Sequence, residues 1–145
     1  MTMVEVFRLD DGSQSVVLKV AIEPSFRSGD HRYHNAELIV QSDWINTRTD
    51  LDVRIGGADD ELTEWAELLQ RLGDWEINGE PNTTVEWPSS GEGGYVRIAA
   101  DDPYQVSVTD GPRTGITIQI PLDLPAEWLD VNTAMLDQAR LRLTP

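Results

Sequence analysis

The chain has 145 residues, no cysteine and a formal charge of −15 at pH 7. Its length suits one domain with its own core, and the missing thiols exclude disulfides, thiolate metal sites and cysteine nucleophiles. The acidic excess argues against nucleic acid and anionic membrane as partners, favours solubility, and speeds encounter with a basic partner.

Residues 4–9 read as a first strand, Asp10, Asp11 and Gly12 as a turn, and residues 15–22 as a second strand, together a hairpin. In the second strand Val16, Leu18, Val20 and Ile22 share one side while Val17, Lys19 and Ala21 share the other. That alternation predicts burial mostly on one side. Residues 24–34, PSFRSGDHRYH, read as a polar loop before a third strand over about 36–41. A fourth strand follows over about 47–55, with Leu51, Val53 and Ile55 inward and Arg48, Asp50, Asp52 and Arg54 outward.

Residues 59–73, DDELTEWAELLQRLG, carry the clearest helical signal. Leu62, Trp65, Ala66, Leu69 and Leu72 recur at spacings that gather them into one packing stripe. Asp59 or Asp60 can cap its start and Gly73 can close it. Asp60, Glu64, Glu67 and Arg71 fall on the water side, where Glu67 and Arg71 are one turn apart and can pair.

Residues 75–77 and 83–87 are short strand candidates separated by the NGEPN turn, and SSGEGG is a flexible connection. Three strands follow over 95–100, 104–109 and 114–122, the last alternating Ile116, Ile118, Ile120 and Leu122 with polar residues and proline. A second helix closes the chain from about 125 to 143, with Trp128, Leu129, Met135, Leu136, Ala139 and Leu143 on its apolar stripe. The expected fold is a single α+β domain over 1–145, an antiparallel β-meander of about eight strands with two amphipathic helices on one face.

Candidate chemistry is sparse. Asp30, His31 and His34 form the one histidine-bearing cluster, and two imidazoles with a nearby carboxylate can ligate zinc, although a loop setting makes ordinary surface histidines the better reading. Asp50 and Asp52 share a strand face, but Arg48 and Arg54 beside them suggest a solvated charge ladder. No nucleophile elbow and no phosphate-binding loop is present. Of the tryptophans, Trp65 and Trp128 belong to core stripes, while Trp44 and Trp87 stand near strand ends and are candidate interface anchors.

The segments FRLDDG, NAELIVQSDWINTRTDLDVRI, LTEWAELLQRLGDWE and IPLDLPAEWLDVNTAMLDQARL together resemble an uncharacterised group of small acidic actinobacterial proteins, a domain of unknown function. More loosely, strand blocks followed by a leucine and tryptophan helix are similar to the WapI immunity-protein family. The first resemblance implies no activity, cofactor or catalytic residue. The second implies a protein that binds and neutralises a cognate toxin.

The leading expectation is a non-enzymatic protein-binding module, immunity-like, that takes a basic partner on Asp60, Glu64 and Glu67 with Trp44 and Trp87 as anchors and uses no cofactor. The alternative is a metal-binding domain or metal-dependent enzyme at Asp30, His31 and His34. Self-association through an open sheet edge is a third reading. The N-terminal residues alternate and carry acids early, unlike a basic leader with an apolar run, so the expected compartment is the cytoplasm, without nucleic-acid or membrane attachment.

Overall fold

The computed structural model describes residues 2–89, 93–111 and 113–143. Its strands are β1 Met3–Asp10, β2 Ser15–Ala21, β3 Phe26–Ser28, β4 His31–Gln41, β5 Asn46–Ile55, β6 Thr84–Trp87, β7 Tyr95–Ala99, β8 Tyr104–Thr109 and β9 Thr117–Leu122. The helices are α1 Glu61–Asn78 and α2 Trp128–Leu143. The fold is α+β and every strand pair is antiparallel, as expected, but the strands divide between two sheets. The first runs β1-β2-β4-β3 with β5 also paired to β4, and the second runs β6-β7-β8-β9. Helix α1 is the passage from one sheet to the other. Residues 90–92 of the SSGEGG connection and Pro112 of the DGPR turn lie outside the described residues.

One face of the first sheet is set by register. Leu9, Val16 and Val40 align across three strands, as do Phe7, Leu18 and Leu38, and Ala36 pairs with Leu51. All of these are buried, and they share one core with Val85, Trp87, Val96, Ile98, Val106 and Leu122 of the second sheet. The second sheet therefore closes over the first, and α1 fills one end. Phe7 stacks on Trp65 at a centroid distance of 4.2 Å, and Trp87 meets both rings edge-on at 5.9 and 6.0 Å. Such pairs add about 0.5–1.5 kcal/mol beyond the area they bury.

Burial of β2 is two-sided rather than one-sided. Val17 and Ala21 are as buried as Val16 and Val20, because β2 lies between β1 and β4 and Val17 is flanked by Arg8 and Ile39 on the outer face. The stem of an arginine covers apolar surface while its charge reaches water. The Arg8 guanidinium lies 2.5 Å from Glu5 and 3.3 Å from Asp10.

Helix α1 runs past the expected stop. Gly73 lies inside it, residues 75–77 form its last turn rather than a strand, and Gly79 closes it with φ 65° and its N–H on the Trp75 carbonyl at 2.7 Å. Leu62, Trp65, Leu69 and Leu72 are buried as the stripe predicts, and Leu68 joins them. Packing carries the helix through Gly73, because the second half of α1 lies against α2. Trp75 and Trp128 contact Tyr104 edge-on at 5.4 and 5.3 Å, and Glu76 accepts from the Tyr104 hydroxyl and from Trp128 Nε1. Burial and the Glu76 carboxylate push the Tyr104 phenol far above its ordinary pKa.

A methyl group placed at Gly73 would meet Leu129 Cδ1 at 3.7 Å, an ordinary contact. Gly73→Ala should therefore stabilise the protein by about 0.5–1 kcal/mol, by removing backbone entropy from the unfolded chain. A rise in the urea midpoint at unchanged slope checks it.

Helix α2 begins at Trp128, three residues later than expected, and β9 begins at Thr117 because Thr114 to Ile116 belong to the turn closed by Asp110 N–H on the Ile116 carbonyl at 2.9 Å. Ile116 is consequently exposed. Asn132 of α2 is fully buried against the edge of β1. Its Oδ1 accepts from Arg8 N–H at 2.8 Å and its Nδ2 donates to the Arg8 carbonyl at 3.0 Å. One carboxamide thus stands in for a neighbouring strand on an edge that would otherwise be open. Among the described residues no helix is long and apolar enough to cross a membrane.

Candidate functional site

Three acidic turns meet at one end of the two sheets. In the β1–β2 turn, Asp11 Oδ1 accepts from the Ser13 and Gln14 N–H groups, both at 2.8 Å, and Asp10 accepts from Gly12 N–H at 2.7 Å. Burial pushes the Asp11 carboxyl up, but the backbone donors of Gln14, Ser13 and Asp123 outweigh it and hold it below the usual carboxylate range. Asp11 is therefore ionised at neutral pH. The Asp123 N–H on Asp11 Oδ2 at 3.4 Å brings the end of β9 beside this turn, and Gln14 Nε2 donates to the Pro121 carbonyl at 3.1 Å.

The β4–β5 turn supplies the aromatic group. Ser42 Oγ accepts from the N–H groups of Trp44 and Ile45 at 3.2 and 3.1 Å, and Ser42 N–H reaches the Ile45 carbonyl at 2.8 Å. This local bonding fixes the backbone and leaves Trp44 92% exposed. Together the turns line an open cleft of about 450 Å³ that contains Asp11, Asp43, Asp123, Trp44, Pro103 and Pro121, with no basic side chain on its wall. Chemically such a surface suits a cation: carboxylates supply charge, and an indole face adds about 0.5–2 kcal/mol to a guanidinium or ammonium above it.

A larger hollow of about 970 Å³ lies along β4 and β5, and unlike the Trp44 cleft it carries basic side chains, Arg54 and Arg113, among its acids Glu37, Asp50, Asp52 and Glu61. Arg113 lies 3.7 Å from Asp50 and Arg54 donates to the Asp59 carbonyl at 3.0 Å. The charge ladder expected on β5 is likewise paired outward, with Arg48 on Glu37 at 3.0 Å.

The residues singled out in the sequence are scattered. Asp60 is the cap of α1: its Oδ1 accepts from Leu62 and Thr63 N–H groups and its Oδ2 from Gly56 N–H, so its carboxylate is consumed by the fold. Glu64 accepts from both the N–H and the hydroxyl of Ser89. Glu67 is exposed, and no ion pair with Arg71 forms among the described residues. The acidic ridge on α1 is thus largely a capping and loop-holding device. Trp87 corrects the expectation of an exposed anchor: it is fully buried, with its Nε1 on the Glu61 carbonyl at 2.8 Å, because β6 turns it inward onto Phe7 and Trp65. Trp44 is at the surface as expected.

Asp30, His31 and His34 do not lie in a loop with two surface histidines. His31 and His34 belong to β4, and three residues along a strand send them to opposite faces. His31 Nδ1 contacts the Gly56 carbonyl at 2.8 Å, whereas His34 is 1% exposed with Nδ1 on the Ala21 carbonyl at 2.8 Å. Asp30 is exposed at the β3–β4 turn. Because a carbonyl only accepts, His34 carries its proton on Nδ1, and its buried Nε2 has no partner among the described residues.

Burial lowers the His34 pKa, Arg32 and Arg27 reinforce the shift, and the Ala21 carbonyl and Glu23 oppose it without reversing it. The unfolded chain then binds the proton more readily than the folded one, so stability is full above the ordinary histidine range of about 6.5 and falls as pH drops through it. Urea midpoints at about pH 7.5 and 5 should differ more for the wild type than for His34→Gln.

Of these acids, the sequence marks Asp10 and Asp11 only as turn residues. Asp11, Asp43 and Asp123 each follow or begin a strand, and nothing local says that they converge.

Fold and cleft define a small two-sheet α+β domain with an acidic, tryptophan-tipped surface. The chain belongs to the family of unknown function DUF5959, whose model matches residues 4–144. No curated protein and no solved structure matches the chain.

Proposed function

We propose that this protein is a non-enzymatic binding module that takes a basic protein partner at the Trp44 cleft, in the manner of an immunity protein occupying its toxin. The observation that carries the reading is Trp44, 92% exposed on a turn held by Ser42, beside a wall that bears carboxylates and no basic side chain. A large apolar ring held out in water costs solvation and contributes most when a partner covers it. The net charge of −15 supplies steering toward a cationic surface.

The test is affinity capture from an extract of the source organism with the wild type, Trp44→Ala and Asp43→Lys, eluted along a salt gradient. The reading expects a basic protein whose affinity falls roughly 30-fold with Trp44→Ala and further with Asp43→Lys, and which leaves the column as salt rises. A partner retained equally by all three proteins, or indifferent to salt, overturns it.

A further inference from the structure

A separate cavity of about 220 Å³ lies between the two sheets where β5 approaches β8 and β9. Its floor is Leu38, Val40 and Val108, all buried, and Ile118 continues the wall. Asp110 stands at its mouth. Thr49 donates to Asp110 Oδ1 and Thr114 to Oδ2, so the carboxylate is held in place by one hydroxyl on each oxygen. An apolar cavity of about 150 Å³ accommodates a benzene ring, so this one has room for a ring and a short arm.

We propose that this cavity binds a small organic cation, a primary ammonium carried on a short hydrocarbon or a single aromatic ring, with the apolar body on Val40 and Val108 and the charge at Asp110. The chemistry is asymmetric. The floor is aliphatic, with the Thr47 and Thr49 side chains on the β5 wall, so an apolar body replaces the water over the floor without loss. The mouth offers a fixed carboxylate, and an ionised oxygen accepts more than one hydrogen bond. Arg48 is part of the lining, but its guanidinium reaches Glu37 at 3.0 Å, and Arg113, outside the lining, is 3.7 Å from Asp50. The net charge of −15 enriches cations around the molecule and depletes anions. Asp110 is ionised throughout the neutral range, because the hydroxyls of Thr49 and Thr114 hold its carboxyl below the usual carboxylate value.

The probes are benzylamine, its neutral analogue toluene and the anion benzoate, each titrated into the whole chain and followed by amide shifts in NMR. Benzylamine should perturb Val40, Thr49, Val108 and Ile118, bind about tenfold more tightly than toluene, and leave benzoate without effect. Asp110→Asn should weaken benzylamine about tenfold and spare toluene, while Val108→Phe should abolish both by filling the cavity. Should Val108→Phe fail to fold, Asp110→Asn still decides. Equal binding of benzylamine and toluene, binding unchanged in Asp110→Asn, no perturbation at all, or shifts confined to the Trp44 cleft would each overturn the proposal. Shifts at Trp44 would instead support the cationic preference of that other surface.

Discussion

Trp87→Ala should cost about 4–5 kcal/mol, a large part of the roughly 5–15 kcal/mol that holds a domain together. The substitution empties the space against Phe7 and Trp65 and removes the N–H that the Glu61 carbonyl accepts at 2.8 Å. The neighbours cannot close the gap, because Trp65 is held by α1 and Phe7 by the β1–β2 register. Trp87→Phe separates the contributions: it keeps much of the packing, loses the hydrogen bond and should cost clearly less, about 1–3 kcal/mol. Urea denaturation measures both. Partner binding by Trp87→Phe, measured where the protein remains folded, should be unchanged, whereas Trp44→Ala should reverse the pattern by losing binding and keeping stability. A binding loss in Trp87→Phe without a stability loss would sink the assignment of Trp87 to the core.

Asn132→Leu should cost about 2–4 kcal/mol and expose the protein to self-association. The leucine has the same branching and heavy-atom count, though more bulk, and it leaves the Arg8 N–H and carbonyl without the partners that lie at 2.8 and 3.0 Å. It also removes the donor to the Trp128 carbonyl at 2.8 Å. Asn132→Asp tests the two halves separately, since a carboxylate still accepts from Arg8 N–H but cannot donate to its carbonyl. Light scattering beside the denaturation curve reads the edge directly. A variant as stable and as monomeric as the wild type would show that the clamp is incidental.

The helix α1 was legible because its signal is local. Leu62, Trp65, Leu69 and Leu72 define a stripe on their own, and Asp60 caps it where the sequence places a cap. Its end was not, because Gly73 and Gly79 are both glycines and the choice between them is made by α2, whose Leu129 lies near Gly73. The division into two sheets was hidden for a related reason. Alternation in β5 and β9 says which side chains share a face, but not which strand lies alongside.

His34 and Trp87 show the same limit from opposite directions. A polar stretch suggested a loop around His34, yet pairing with Val53 turns its ring into the core. A strand end suggested exposure for Trp87, yet α1 lies over it. At the cleft, the same place near a strand end rightly marked Trp44 as exposed. The meeting of Asp11 with Asp123, 112 residues apart, was not, since no local pattern reports so distant a contact.

The Asn132 clamp also orders events during synthesis. The two partners are 124 residues apart in the chain, so the edge of β1 stays open while β2, β4 and the whole second sheet are being made. At about 5–20 residues per second, that leaves a nascent strand unguarded for about 6–25 seconds. The ribosome-bound intermediate, rather than the finished protein, is therefore the species most exposed to wrong pairing, and chaperone dependence should concentrate there.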